Sequence, residues 1–147
     1  MIQQSRRAGI SVPLFSLRSS RGWGIGEIGD IPAASSWLRS AHQSVLQILP
    51  LNEIAPGESS PYSALSAMAI DPQFISLWML DGASIVEQVF ADELEIVRRS
   101  PSIDYRTVRS LKDRALKALF DRFFKTEWLP KTGKADVFRS YVLQESW

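Results

Sequence analysis

The sequence predicts an α/β fold on three observations in chain order: a short β-favouring run, an amphipathic helix, and a nearly continuous apolar run. Residues 9–17 (GISVPLFSL) supply the first strand, in which Ile10, Val12 and Leu14 alternate with Ser11, Pro13 and Phe15. Pro13 cannot donate to a ladder and is expected at an edge position or a bulge. After a glycine-rich stretch, Asp30 reads as an N-cap with Pro32 in the first turn, and Ile31, Ala34, Trp37, Leu38 and Ala41 recur at helical spacing. Trp37 lies on that stripe and reads as core. Residues 45–51 (VLQILPL) suit a strand buried on both faces of a parallel sheet. Strand, helix and strand in this order form a βαβ unit with a right-handed crossover.

Residues 52–71 form a long loop rich in Gly, Ser and Pro, of a length that is uncommon unless functional. Residues 74–80 suit a short helix ended by Asp81-Gly82. Asp104 then caps a long helix with Tyr105, Val108, Leu111, Ala115, Leu119 and Phe123 on one face, while Asp113/Lys117 and Asp121/Lys125 form i,i+4 pairs outside. A last helix runs from Ala135 to Trp147 with Val137, Phe138, Tyr141 and Val142 as its stripe. No stop signal follows, so it reads as an element cut short. Composition divides near Phe74: residues 1–73 hold six of the eight glycines, six of the eight prolines and ten charged residues, against twenty-three charged residues and every lysine beyond. Turns and strands therefore belong to the first half and solvated helix to the second.

A chain of 147 residues, 45% hydrophobic and 22% charged, has the length and composition of one ordinary globular domain. Its net charge of +1 offers no basic excess for nucleic acid or a membrane surface. Without cysteine there is neither a disulfide framework nor a thiolate ligand, and a lone His42 excludes a multi-histidine metal site. His42 reads instead as a partner for the C-terminal dipole of the first helix. No signal peptide and no membrane span is legible, and the chain reads as cytosolic.

Gly24-Ile25-Gly26-Glu27-Ile28-Gly29 is a literal G-x-G-x-x-G between a strand and a helix, with Glu53 where a ribose-binding acid would stand. Against a dinucleotide site, Arg18 to Trp23 separate the first glycine from the strand and Pro32 delays the helix. Glu53, Glu58 and Asp71 fall in or beside the long loop, yet no spacing sets two of them together as a glycosidic pair. Ser59-Ser60-Pro61-Tyr62-Ser63 places a tyrosine in a proline-restricted turn, an aromatic face with a polar tip on which a sugar can stack.

Residues 21–30 (RGWGIGEIGD), 47–53 (QILPLNE), 60–66 (SPYSALS) and 69–72 (AIDP) resemble, in order and spacing, the N-terminal region of the 4-α-glucanotransferases. These are the amylomaltases or disproportionating enzymes of glycoside hydrolase family 77. Ile103-Asp104-Tyr105, Val108, Lys112 and Leu116 resemble that family's helical insertion. The resemblance thus runs from about Gly9 to Trp147, across nearly all of this chain but only the opening part of the family's protein.

The resemblance implies the opening part of a (β/α)8 TIM barrel with a helical insertion, incomplete here because a whole barrel needs about 200 residues. Residues 1–82 would be the first βαβ part with a substrate loop, and 83–147 a truncated helical insertion. It implies an enzyme of glycogen, starch or maltodextrin metabolism that transfers an α-1,4-glucan segment to the 4-hydroxyl of an acceptor glucose or maltooligosaccharide by a retaining double displacement, without a cofactor. Tyr62 matches the family's platform beside the sugar, Ser60 shapes the same loop, and Glu53 falls at the active-site rim. Asp71-Pro72 matches a motif taken as structural. The family's catalytic carboxylates belong to motifs without a match here, so no catalytic residue is assigned and the chain alone is expected to be inactive. Two other readings stay open: a dinucleotide-binding βαβ module using Gly24, Gly26, Gly29 and Glu53, and a small structural or interaction domain built on the amphipathic helices. The oligomeric state is not legible.

Overall fold

A computed structural model of the chain describes all residues except 1–5, 56, 59, 146 and 147. Strand β1 (Gly9–Val12) and strand β2 (Val45–Ile48) pair in parallel, with Gly9 opposite Val45 and Val12 opposite Ile48. Helix α1 (Ile31–Ser40) connects them, so the βαβ order expected from the sequence is present. Both strands are shorter than expected. β1 stops where Pro13 removes a donor, and Leu14–Ser16 turns into a 3₁₀ coil closed by Ser16 N–H on the Pro13 carbonyl.

Burial corrects three expectations. Both strands alternate between exposed and half-buried positions instead of lying buried on two faces, because the sheet among the described residues has only these two strands. Trp37 is 63% exposed and only Leu38 of α1 is buried, since little packs over the rest of the helical stripe. Asp30 stands at the N-cap position, but its buried carboxylate accepts the Glu27 N–H at 2.9 Å and caps nothing in α1. His42 follows α1 in the left-handed region, φ 57°, with its N–H on the Arg39 carbonyl.

Beyond the loop, the short helix expected over 74–80 is two 3₁₀ turns, Pro72–Phe74 and Leu77–Met79. Helices α2 (Ala83–Val89) and α3 (Ala91–Arg99) follow, then the long helix α4 (Tyr105–Phe123). The Asp104 carboxylate caps α4 as expected, accepting the Thr107 N–H at 3.1 Å and its hydroxyl at 2.7 Å. The hydroxyl bond, more than any other contact, holds the Asp104 carboxyl below its ordinary range. The i,i+4 pairing differs from expectation: Lys117 faces acids one turn to either side and takes Asp121, at 2.8 Å. After a π-turn at Phe124–Trp128, helix α5 (Gly133–Gln144) buries Ala135, while Val137 and Tyr141 of its expected stripe are exposed. Ser146 and Trp147, assigned from sequence to that helix, lie outside the described residues.

The core joins the two compositional halves. Leu14, Trp23, Ile25, Phe74 and Leu77 pack with Val86, Leu94, Val97, Val108, Leu111, Ala115 and Leu119. Arginines clamp the glycine-rich stretch to α3 from both sides. Arg18 donates to the carbonyls of Val97, Arg98 and Ser100, and Arg98 donates to those of Arg21 and Gly22. At the centre of the core, the fully buried Lys112 Nζ bonds Glu27 Oε1 at 2.7 Å and the carbonyls of Gln73 and Ile75 at 2.6 and 2.7 Å. Burial pushes the Glu27 carboxyl up and the Lys112 ammonium down, and each charge pulls the other back towards ionisation.

Two outcomes follow. Removing one member of a buried pair strands the other, so Lys112→Met is expected to cost about 3–5 kcal/mol in urea unfolding, and adding Glu27→Gln to recover part of that loss. Asp104 has a folded pKa below its unfolded one, so its stabilisation is present above the ordinary carboxylate range and lost as pH falls through the folded value. Asp104→Ala should therefore lower the thermal midpoint at pH 7, and the gap to the unsubstituted chain should close in acid.

Candidate functional site

The loop after β2 is tied down at several levels. Asn52 bridges Ile70 and Ile54 bridges Ala64 in antiparallel fashion. Glu53 N–H donates to the Ala69 carbonyl at 3.0 Å, and Leu65 N–H donates to the Glu53 carbonyl at 2.8 Å. The Asn52 amide adds a bond to the Ala67 carbonyl at 2.9 Å. Ser66 Oγ accepts the N–H groups of Met68 and Ala69 and rounds the return of the chain. A segment that reads from sequence as irregular thus has its backbone groups paired near its base.

At its tip, Ser63 N–H donates to the Ser60 carbonyl at 3.1 Å, closing a four-residue turn with Pro61 in its second place. Ser60 Oγ accepts the Tyr62 N–H at 3.3 Å, a local bond within the same turn. Pro61 borders a small cavity of about 20 Å³ whose other walls include Phe15, Phe74 and Tyr105. Phe15 and Tyr105 meet edge to face with centroids 5.7 Å apart. Tyr62, the next residue after Pro61, is 72% exposed. Leu65, Met68 and Ile70 of the same loop are also exposed. An exposed tyrosine can stack on the apolar face of a sugar ring while the phenol hydroxyl reaches a polar group. Glu53 is half-buried on the same hairpin and is joined to it through its backbone. Ser59 of the tyrosine turn lies outside the described residues.

Two carboxylates near this site are engaged in ion pairs. Asp71 is fully buried at the loop exit and pairs with Arg109 of α4 at 2.5 Å. It also accepts the Gln73 N–H at 3.0 Å and the Gln73 side-chain amide at 3.1 Å. Glu27 is held by Lys112 and by the Trp23 N–H. Both carboxylates are thus buried and occupied by cations of α4. A cleft of about 730 Å³ opens between the loop and α4, lined among others by Ile54, Glu58, Tyr105, Arg106, Arg109 and Asp113. Among the described residues no three His, Asp or Glu side chains gather to hold a metal ion.

The dinucleotide reading of Gly24, Gly26, Gly29 and Glu53 is corrected by the hydrogen bonds of the glycine-rich stretch. Gly26 N–H donates to the Phe15 carbonyl, Gly29 N–H to Ser76 Oγ, and the N–H groups of Trp23 and Glu27 to buried carboxylates. A pyrophosphate would find these donors taken. The glycines serve close packing: a Cβ at Gly26 would stand 2.0 Å from the Leu14 carbonyl oxygen, and Gly24, at φ 84°, lies against Val97.

Lys112 enters the sequence reading only through the resemblance to the family's helical insertion, and Arg109 does not enter it. Lys112 had a signal: it lies four residues after Val108 and three before Ala115, on the apolar stripe itself, where a lysine needs a buried partner. Arg109 had none, because an arginine on a charged helix is ordinarily solvated.

Comparison with known proteins agrees with the sequence resemblance. The family model described as 4-alpha-glucanotransferase matches residues 12–147. The chain is 33% identical over 129 residues to a 4-alpha-glucanotransferase of Chlamydia pneumoniae, covering 86% of this chain and 24% of that protein. It is 34% identical to the Chlamydia trachomatis protein of the same name, covering 76% of this chain and 21% of that one. With the Haemophilus influenzae protein of that name it shares 27% identity, over 97% of this chain and 22% of the relative. The chain thus spans less than a quarter of the length of these curated relatives. With a family model matched from the end of β1 to the last residue, the chain belongs to the 4-alpha-glucanotransferase family, glycoside hydrolase family 77.

Proposed function

We propose that this chain contributes the sugar platform of a cytoplasmic 4-α-glucanotransferase acting on α-1,4-glucans and maltooligosaccharides. Tyr62 meets the sugar, Ser60 holds the turn that presents it, and Glu53 stands at the rim. The observation that carries this reading is a 72% exposed tyrosine at the tip of a loop tied at its base, within a segment matched by the family model. An exposed ring with a polar tip on a proline-restricted turn suits stacking on a sugar.

In this reading, residues 1–82 are the first βαβ part of a (β/α)8 barrel, with the substrate loop after its second strand, and residues 83–147 belong to a helical insertion packed on it. The parallel β1–β2 pair supports that reading, as does the position of the loop beyond the C-terminal end of a strand, where barrel enzymes bind substrate. The double displacement needs a nucleophilic carboxylate and an acid/base carboxylate on either side of the bond being broken. Glu27 and Asp71 are engaged in ion pairs, and the chain's remaining acids match none of the family's catalytic motifs. The chain therefore supplies positioning, and the reacting carboxylates come from elsewhere in the enzyme.

Incubated alone with maltotriose, the chain is expected to release no glucose and to form no longer oligomers; turnover above a blank would show catalytic groups within it. In the full-length enzyme carrying this segment, Tyr62→Phe should be mild and Tyr62→Ala severe. A ring that meets the sugar as it distorts towards an oxocarbenium-like state should lower kcat and kcat/KM together. A folded Tyr62→Ala enzyme with unchanged kcat and KM would leave the turn as a packing device.

A further inference from the structure

Both backbone arms of the substrate loop converge on one carboxylate. Asp71 accepts the Gln73 N–H at 3.0 Å and the Ile54 N–H at 3.5 Å, while its own N–H donates to the Leu51 carbonyl at 2.8 Å. The outgoing arm near Leu51 and Ile54 and the returning arm near Asp71 and Gln73 are thereby joined. The side chain is 0% exposed, and its cationic partner, Arg109, comes from helix α4, 38 residues further along the chain. One turn on, Lys112 reaches the same returning arm through the carbonyls of Gln73 and Ile75. The two cations differ in setting: Lys112 is sealed in the core, whereas Arg109 borders the cleft with 27% of its side chain exposed.

We propose that Arg109 is a positioning residue for Tyr62, acting through Asp71, so that the packing of helix α4 sets where the aromatic platform stands. This rests on the reading of Tyr62 as a sugar platform. A buried carboxylate that loses its cation must regain water, and water entering from the cleft where Arg109 stood competes for the carboxylate that joins the two arms through the Ile54 and Gln73 N–H groups. The bridges Asn52–Ile70 and Ile54–Ala64 carry that loosening of the arms to the Ser60–Ser63 turn. Arg109 touches Asp71 through a single nitrogen, so a lysine can keep the charge and restore much of the effect.

The test uses this chain and reads two quantities. In hydrogen exchange, Arg109→Leu should speed the amides of residues 52–71 by about tenfold while α3 and α4 keep their protection, and Arg109→Lys should return most of it. Arg109→Gln gives the same reading where the leucine variant does not fold. Unchanged exchange in the loop overturns the proposal. So does faster exchange throughout α3 and α4, which marks an ordinary stabilising residue. The second quantity is affinity for maltoheptaose, read by saturation-transfer NMR for Arg109→Leu, Tyr62→Ala and the double variant. Losses that overlap, with the double variant no worse than Tyr62→Ala, support action through Tyr62; losses that multiply overturn it. Absence of maltoheptaose binding by the unsubstituted chain would sink the platform reading itself, and the exchange measurement would still decide whether Arg109 orders the loop.

Discussion

The ammonium group of Lys112 is the point from which the rest of the structure hangs. It is fully buried, and all three of its protons have partners: Glu27 on the glycine-rich stretch and the carbonyls of Gln73 and Ile75 at the loop exit. A buried ammonium is tolerated only where its bonds are satisfied and its charge is matched. Helix α4 therefore cannot dock without placing two distant segments at set distances from its own axis. The chain spends a costly group here and obtains one register for three segments.

The glycine-rich stretch shows how far this requirement reaches. Its glycines let the backbone approach Leu14 and Val97 closely, and the N–H groups of Trp23, Gly26 and Glu27 are consumed by carboxylates and a carbonyl of the same chain. Arg18 and Arg98 then fasten it to α3 by donating to carbonyls on either side. A motif that in another setting cradles a phosphate is here a packed bend, and the difference lies in where its donors point.

The loop that carries Tyr62 combines a firm base with an exposed tip. Its base has paired backbone groups and a buried ion pair, and its tip presents apolar side chains to solvent. That contrast suits a surface that must hold a ring in place before a ligand arrives, because order already present in the free protein need not be paid for on binding. The exposed strands, Trp37 and the outer face of α5 form further apolar surface among the described residues.

Local sequence rules determined much of this. The βαβ order, the Asp104 cap, the buried face of α4 and the tyrosine turn each depend on residues a few positions apart, and each was legible. The family was legible because several spaced motifs agree. Strand lengths and strand burial were not, since they depend on what covers the sheet; Trp37 and the α5 stripe went the same way. The fate of the glycine motif was decided by partners far along the chain, such as Ser76, 47 residues on, for Gly29 and Lys112, 85 residues on, for Glu27. Arg109–Asp71 and Lys112–Glu27 span 38 and 85 residues, and no periodicity within one element reports a pairing between two. The sequence by itself determined the βαβ order, the long helix α4 and the tyrosine turn, because those are short-range choices of the backbone. Only the tertiary structure decided which charges are buried together, because burial is a property of neighbours brought in from elsewhere in the chain.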